Sequence, residues 1–93
     1  MIFMGMVAIT YKVMPDSEIE DVSIDDIVSN VQGFKSDVYD VQLVETKPLA
    51  FGLKFVQVHV VMDDGSGLSD QFEHSLKSVV GVGEVEVLSM GLL

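Results

Sequence analysis

From Met4 to Met14 the chain is apolar and β-branched, with Thr10 and Lys12 breaking the run at even positions. That is the period of a strand with one face turned to a core. Pro15 closes it, because proline has no N–H to give to a ladder. After the polar stretch DSEIED, the residues Ile24, Ile27, Val28 and Val31 recur at helical spacing and define one apolar face. Ser23 followed three residues on by Asp26 has the form of a capping box, and Asp25 and Asp26 lie where a helix dipole favours negative charge. Gly33 is the expected stop.

Between Asp37 and Lys47 the period returns to two, with Val38, Asp40, Gln42 and Val44 on one parity and Tyr39, Val41, Leu43 and Glu45 on the other, the apolar residues concentrated on the second set. This predicts a half-buried strand. A second strand is expected from Leu53 to Met62, where Phe55, Val56, Val58, Val60 and Val61 are too β-branched for a comfortable helix. The connection between them is longer than a two-residue hairpin turn. DDGSG then breaks the chain, with Asp63 and Asp64 expected to cap the helix beyond it. Leu68, Phe72, Leu76 and Val79 mark that second helix from about Ser69 to Gly81, and GEVEVLSMGLL reads as a last strand with Val85 and Val87 toward the core.

The order is β-α-β-β-α-β. Two amphipathic crossover helices are most simply buried on one face of a four-stranded antiparallel sheet, which is the α+β ferredoxin-like sandwich. With 93 residues and no internal linker, residues 1–93 are expected to form one domain. The apolar start lacks both a basic flank and a small-residue cleavage pattern, so it reads as strand and not as a secretory signal. No run is long enough to span a bilayer.

Charge narrows the partners. Fifteen acids against five lysines and no arginine give a formal net charge of −10, a field that repels nucleic acid and anionic membrane. Without cysteine, disulfides and thiolate metal sites are excluded, a composition compatible with a reducing cytoplasm. No catalytic constellation stands out. His59 and His74 lack an acid-and-histidine pattern for a metal, no G-x-S-x-G elbow is present, DDGSG lacks the spacing of a calcium loop, and its glycines form no phosphate loop, so no metal or cofactor is expected.

One window differs from the rest. Thr46 to Met62 contains no acid, and within it KPLAFGLK sets two lysines around an apolar tip. Phe51 stands between Ala50 and Gly52, so its ring either folds back on the sheet end or serves as an exposed anchor; the missing acids favour docking to an acidic partner. The tail, Val87 to Leu93, is a second such window and carries no charge of either sign.

The string KVMPDS, the loop PLAFGL, the run VQVHVVMDD and the closing VGEVEVLSM, in this order and spacing, resemble the translation elongation factor 1-beta family, specifically its short free-standing archaeal type. The likeness extends from about Val7 to the C-terminus. It implies the same ferredoxin-like fold and a function, guanine nucleotide exchange on the GTPase elongation factor 1-alpha, achieved by binding and not by covalent catalysis. The family's Pro-x-x-Phe-Gly loop falls on Pro48, Phe51 and Gly52, and its terminal segment on Met90, Leu92 and Leu93, which the resemblance makes the partner contacts. Where eukaryotic members have a lysine next to the last residue, this sequence has Leu92, so displacement of magnesium by that cation does not carry over: either another residue does it, or the apolar tail acts sterically against the switch region, or exchange is weaker. The topology puts Phe51 and Leu93 at opposite ends of the sheet, on the order of 20 to 25 Å apart. Two other readings stand beside it: an ACT-type module, which uses the same element order and binds a small molecule at a dimer seam, and an assembly subunit without exchange activity. The expected state is a monomer in the cytoplasm.

Overall fold

The computed structural model describes residues 5–16, 23–49, 52–63 and 67–92. The elements are β1 (Met6–Pro15), α1 (Ile24–Gln32), β2 (Tyr39–Pro48), β3 (Lys54–Asp63), α2 (Leu68–Lys77) and β4 (Val82–Leu92). The expected order is observed. All three strand pairings are antiparallel, and the sheet runs β2-β3-β1-β4, so the first and third strands are central.

Register explains which residues are buried. Val7, Ile9, Tyr11 and Val13 of β1 lie opposite Met62, Val60, Val58 and Val56 of β3, and all eight are buried beneath the helices. Ile27 and Val31 of α1 and Phe72 and Leu76 of α2 close the core from above. These are the helical positions that the apolar spacing marks. Each fully buried side chain of this size contributes roughly 1.5–3 kcal/mol. The opposite face of the sheet, carrying Thr10, Lys12, Phe55 and His59, has no helix over it among the described residues. There Thr10 Oγ1 and His59 Nδ1 are 2.9 Å apart, and Lys12 Nζ lies 5.2 Å from the centre of the Phe55 ring.

The capping box at α1 is formed as expected, with Asp26 N–H donating to Ser23 Oγ and Ser23 N–H donating to Asp26 Oδ2, each at 3.2 Å. The cap of α2 is different. Its N-cap is Gly67 at φ +73°, without a side-chain cap, while Asp63 ends β3 and Asp64 lies outside the described residues. A glycine enters the helix here because the chain turns in through the left-handed region. What ties down this end is aromatic. Tyr39 donates its hydroxyl to the Leu68 carbonyl at 3.0 Å and Tyr11 donates to the Ser69 carbonyl at 3.4 Å. Phe72 packs among them, 4.8 Å from Tyr39, 5.7 Å from Tyr11 and 6.0 Å edge-on from Phe34 between ring centres.

Among the described residues the sheet has three register shifts, at Val41/Leu43, Thr10/Tyr11 and Met14/Pro15, and the first two alter the expected faces. Between Val41 and Leu43 the β2 register shifts, so Leu43 pairs with His59 and joins the open face, while Val44 pairs with Val58 and turns inward. Between Val87 and Ser89 a second shift leaves Leu88 unpaired and places Val87, Met90 and Leu92 opposite Tyr11, Ile9 and Val7. A bulge adds one residue to one strand and thereby reverses the parity beyond it. Helix α2 ends at Lys77, short of the expected Gly81, with the intervening residues forming turns into β4. Among the described residues no helix is long and apolar enough to cross a membrane.

Candidate functional site

The hairpin tip is built by the last residue of β2 and the turn after it. Pro48 is exposed and pairs with Lys54, and the Leu49 N–H donates to the Leu53 carbonyl at 2.6 Å, closing a five-residue connection. Proline ends the edge strand without wasting a donor. Gly52 is exposed at φ +76°, and a Cβ built on it meets nothing within 4 Å. Space would admit a side chain; the left-handed backbone is what asks for glycine. Leu53 is 56% exposed. Phe51 lies outside the described residues.

The tail is the second region. Along β4, Val82 and Val85 pack against the core, but Val87, Met90 and Leu92 become progressively more exposed at 42%, 57% and 73%. By register all three of the latter face the helix side, yet β4 is an edge strand and burial runs out along it. Val87 therefore only partly meets the expectation of a core residue. Leu88, displaced by the bulge, is 48% exposed. Leu93 lies outside the described residues.

These two regions are not brought together. The tip adjoins Lys54 at the start of β3, whereas Leu92 pairs with Val7, and Val7 with Met62 near the end of β3. The eight residue steps from Lys54 to Met62 amount to about 26 Å at ~3.3 Å per step. Pro48 and Gly52 thus occupy one end of the sheet, and Met90 and Leu92 the other.

The polar chemistry elsewhere is structural. Ser75 and Ser78 donate their hydroxyls to the Gln71 and His74 carbonyls of their own helix, at 3.0 and 2.9 Å. His74 is exposed on α2 and His59 half-buried on the open face, and among the described residues no cluster of His, Asp or Glu is arranged to hold a metal. Lys47 pairs with Glu45 at 2.6 Å and Lys77 with Glu73 at 3.2 Å, both at the surface. The Tyr11 hydroxyl has its pKa pushed up to about 12, first by burial and then by the carboxylates of Glu73 and Asp70 and by Tyr39.

Residues 8–93 match the EF-1 guanine nucleotide exchange domain. The chain belongs to that family. Its relatives agree over nearly the full length. It is 32% identical over 92 residues to Elongation factor 1-beta of Thermoplasma acidophilum, covering 97% of this chain and 100% of that one. The same-named protein of Methanosphaerula palustris is 34% identical over 89 residues, covering 96% and 99%, and that of Archaeoglobus fulgidus is 30% identical over 90 residues, covering 97% and 100%. The likeness read from KVMPDS, PLAFGL, VQVHVVMDD and VGEVEVLSM is therefore to the right family and to its archaeal branch. In this member of the exchange-domain family the matched span includes the tip, the tail and all of the sandwich but the first two residues of β1.

Proposed function

We propose that this protein is a guanine nucleotide exchange factor of translation elongation, acting on the GTPase elongation factor 1-alpha through two grips at opposite ends of its sheet. The observation that carries the reading is the placement of two exposed, uncharged regions about one strand length apart on a chain of the exchange-domain family. One grip is the tip with Pro48, Phe51 and Gly52. The other is the tail with Met90, Leu92 and Leu93. A rigid four-stranded sheet fixes their separation, so the factor engages a partner only in arrangements that offer both contact points at that spacing.

Exchange requires no covalent step and no cofactor. The factor accelerates GDP release by binding the nucleotide-free partner more tightly than the GDP-bound one, since equal affinity for both states shifts nothing. Each tenfold gain in release rate corresponds to about 1.4 kcal/mol off the barrier to release. With Leu92 where the eukaryotic pattern has lysine, the tail acts by apolar contact and displacement of partner segments, not by substituting a cation for magnesium. Factor and GTPase meet in the cytoplasm, without nucleic acid or membrane as direct ligands of this chain.

The test is release of a fluorescent GDP analogue from the cognate elongation factor 1-alpha, with and without micromolar amounts of this protein. Acceleration supports the reading, and an unchanged rate refutes it. Phe51→Ala is expected to slow the accelerated release while leaving the urea midpoint unchanged; a large loss of stability would show that the ring belongs to the core.

A further inference from the structure

Three separate stretches of chain meet beside the tip: Met14 and Pro15 at the end of β1, Ile24 at the start of α1, and Gly52, Leu53 and Lys54 leading into β3. They line a groove of about 410 Å³, at the small end of the range for ligand pockets. Its walls are hydrocarbon from Met14, Pro15, Ile24 and Leu53, with bare backbone at Gly52. Lys54 is the single charged side chain in the lining, and among the described residues it has no ion pair. Asp16, Asp25 and Asp26 belong to the adjoining segments but do not line the groove, and Asp26 accepts the Ser23 N–H in the capping box.

An apolar concavity with one uncompensated ammonium at its rim is complementary to an apolar side chain next to a carboxylate. It does not suit a free polyanion, which the net charge of −10 repels. We propose that this groove receives an apolar side chain of the partner GTPase whose neighbouring Asp or Glu pairs with Lys54. The proposal rests on the exchange-factor reading and adds Met14, Leu53 and Lys54 to the tip as residues that determine affinity. Lys54 acts at the rim, where a charge governs encounter and grip and not the release step itself.

The experiment measures GDP-analogue release from the GTPase across a range of concentrations of this protein, giving a maximal rate and a half-saturating concentration. Lys54→Glu is compared with Lys35→Glu, which makes the same change in net charge at an exposed site beyond α1 and away from the groove. Lys54→Glu is expected to raise the half-saturating concentration about tenfold with the maximal rate kept, and Lys35→Glu to change neither more than about twofold. Leu53→Ser, at an exposed position, raises the half-saturating concentration in the same way, and thermal melts of each variant verify that it is folded. Raising the salt concentration narrows the gap between the unaltered protein and Lys54→Glu, because the pair is screened. Indistinguishable curves for the two lysine variants would overturn the groove while leaving exchange intact. Failure of the unaltered protein to accelerate release would overturn the exchange reading, and the groove proposal with it.

Discussion

Tyr11 gives a stability prediction whose sign changes with pH. The ring is fully buried in the central strand, its hydroxyl donates to the Ser69 carbonyl at 3.4 Å, and burial with the carboxylates of Glu73 and Asp70 pushes its pKa from 10.0 to about 12. Near neutral pH, Tyr11→Phe loses one long hydrogen bond, a cost at the low end of the usual range, about 0.5–1 kcal/mol. A group whose folded pKa is raised contributes stability that is complete below the unfolded value and disappears as pH climbs to the folded one. Between pH 10 and about 12 the unfolded chain has released the Tyr11 proton and the folded chain has not, so stability falls by up to about 1.4 kcal/mol per pH unit. By about pH 11.5 the loss through this one group is about 2 kcal/mol. Phenylalanine has no proton to lose. Tyr11→Phe is therefore expected to be less stable than the unaltered protein at about pH 8 and more stable by roughly 1 kcal/mol at about pH 11.5. Urea unfolding followed by far-ultraviolet circular dichroism of the two proteins at several pH values measures the difference directly. A difference that stays constant across this range would refute the reasoning, showing that the Tyr11 hydroxyl ionises as freely in the fold as outside it.

Phe72→Ala is expected to remove about 3–5 kcal/mol, because it empties the centre of the cluster formed with Tyr11, Phe34 and Tyr39; urea denaturation would reveal a loss comparable to much of a small domain's stability. Gly52→Ala costs about 1–2 kcal/mol through the left-handed backbone alone, and Gly52→Asn is expected to recover part of that, whereas equal losses in both would point to crowding. Leu92→Ser, at a position 73% exposed, is expected to shift stability by no more than about 0.5 kcal/mol while slowing accelerated GDP release several-fold; an unaffected exchange rate would remove Leu92 from the second grip.

Much of this protein is determined locally and can be read along the chain. Alternating apolar residues in β1 and β3, the helical spacing of Ile27 with Val31 and of Phe72 with Leu76, and the Ser23 and Asp26 capping box each depend on residues within a turn or a few strand positions of one another. Element order follows from these, and the sandwich follows from the need to bury two helix stripes on one sheet. The tip with Pro48 and Gly52 was visible because proline and glycine constrain the backbone by themselves. Other features depend on which residues lie opposite each other across strands, and that is set by hydrogen bonds between distant parts of the chain. The bulges that turn Leu43 outward and Val44 inward, and that carry Met90 and Leu92 onto the helix side without covering them, leave no mark in a period-two pattern. At the start of α2 the N-cap is Gly67, and Tyr11 and Tyr39, from two other strands, donate their hydroxyls to the first carbonyls of that helix. The groove unites Met14, Ile24, Leu53 and Lys54 from three segments. Short-range spacing and backbone chemistry set the elements and the apolar faces of β1, β3 and the two helices; the register between distant strands, and where each helix ends, set the faces of β2 and β4 and which side chains stay uncovered, because exposure depends on what lies opposite.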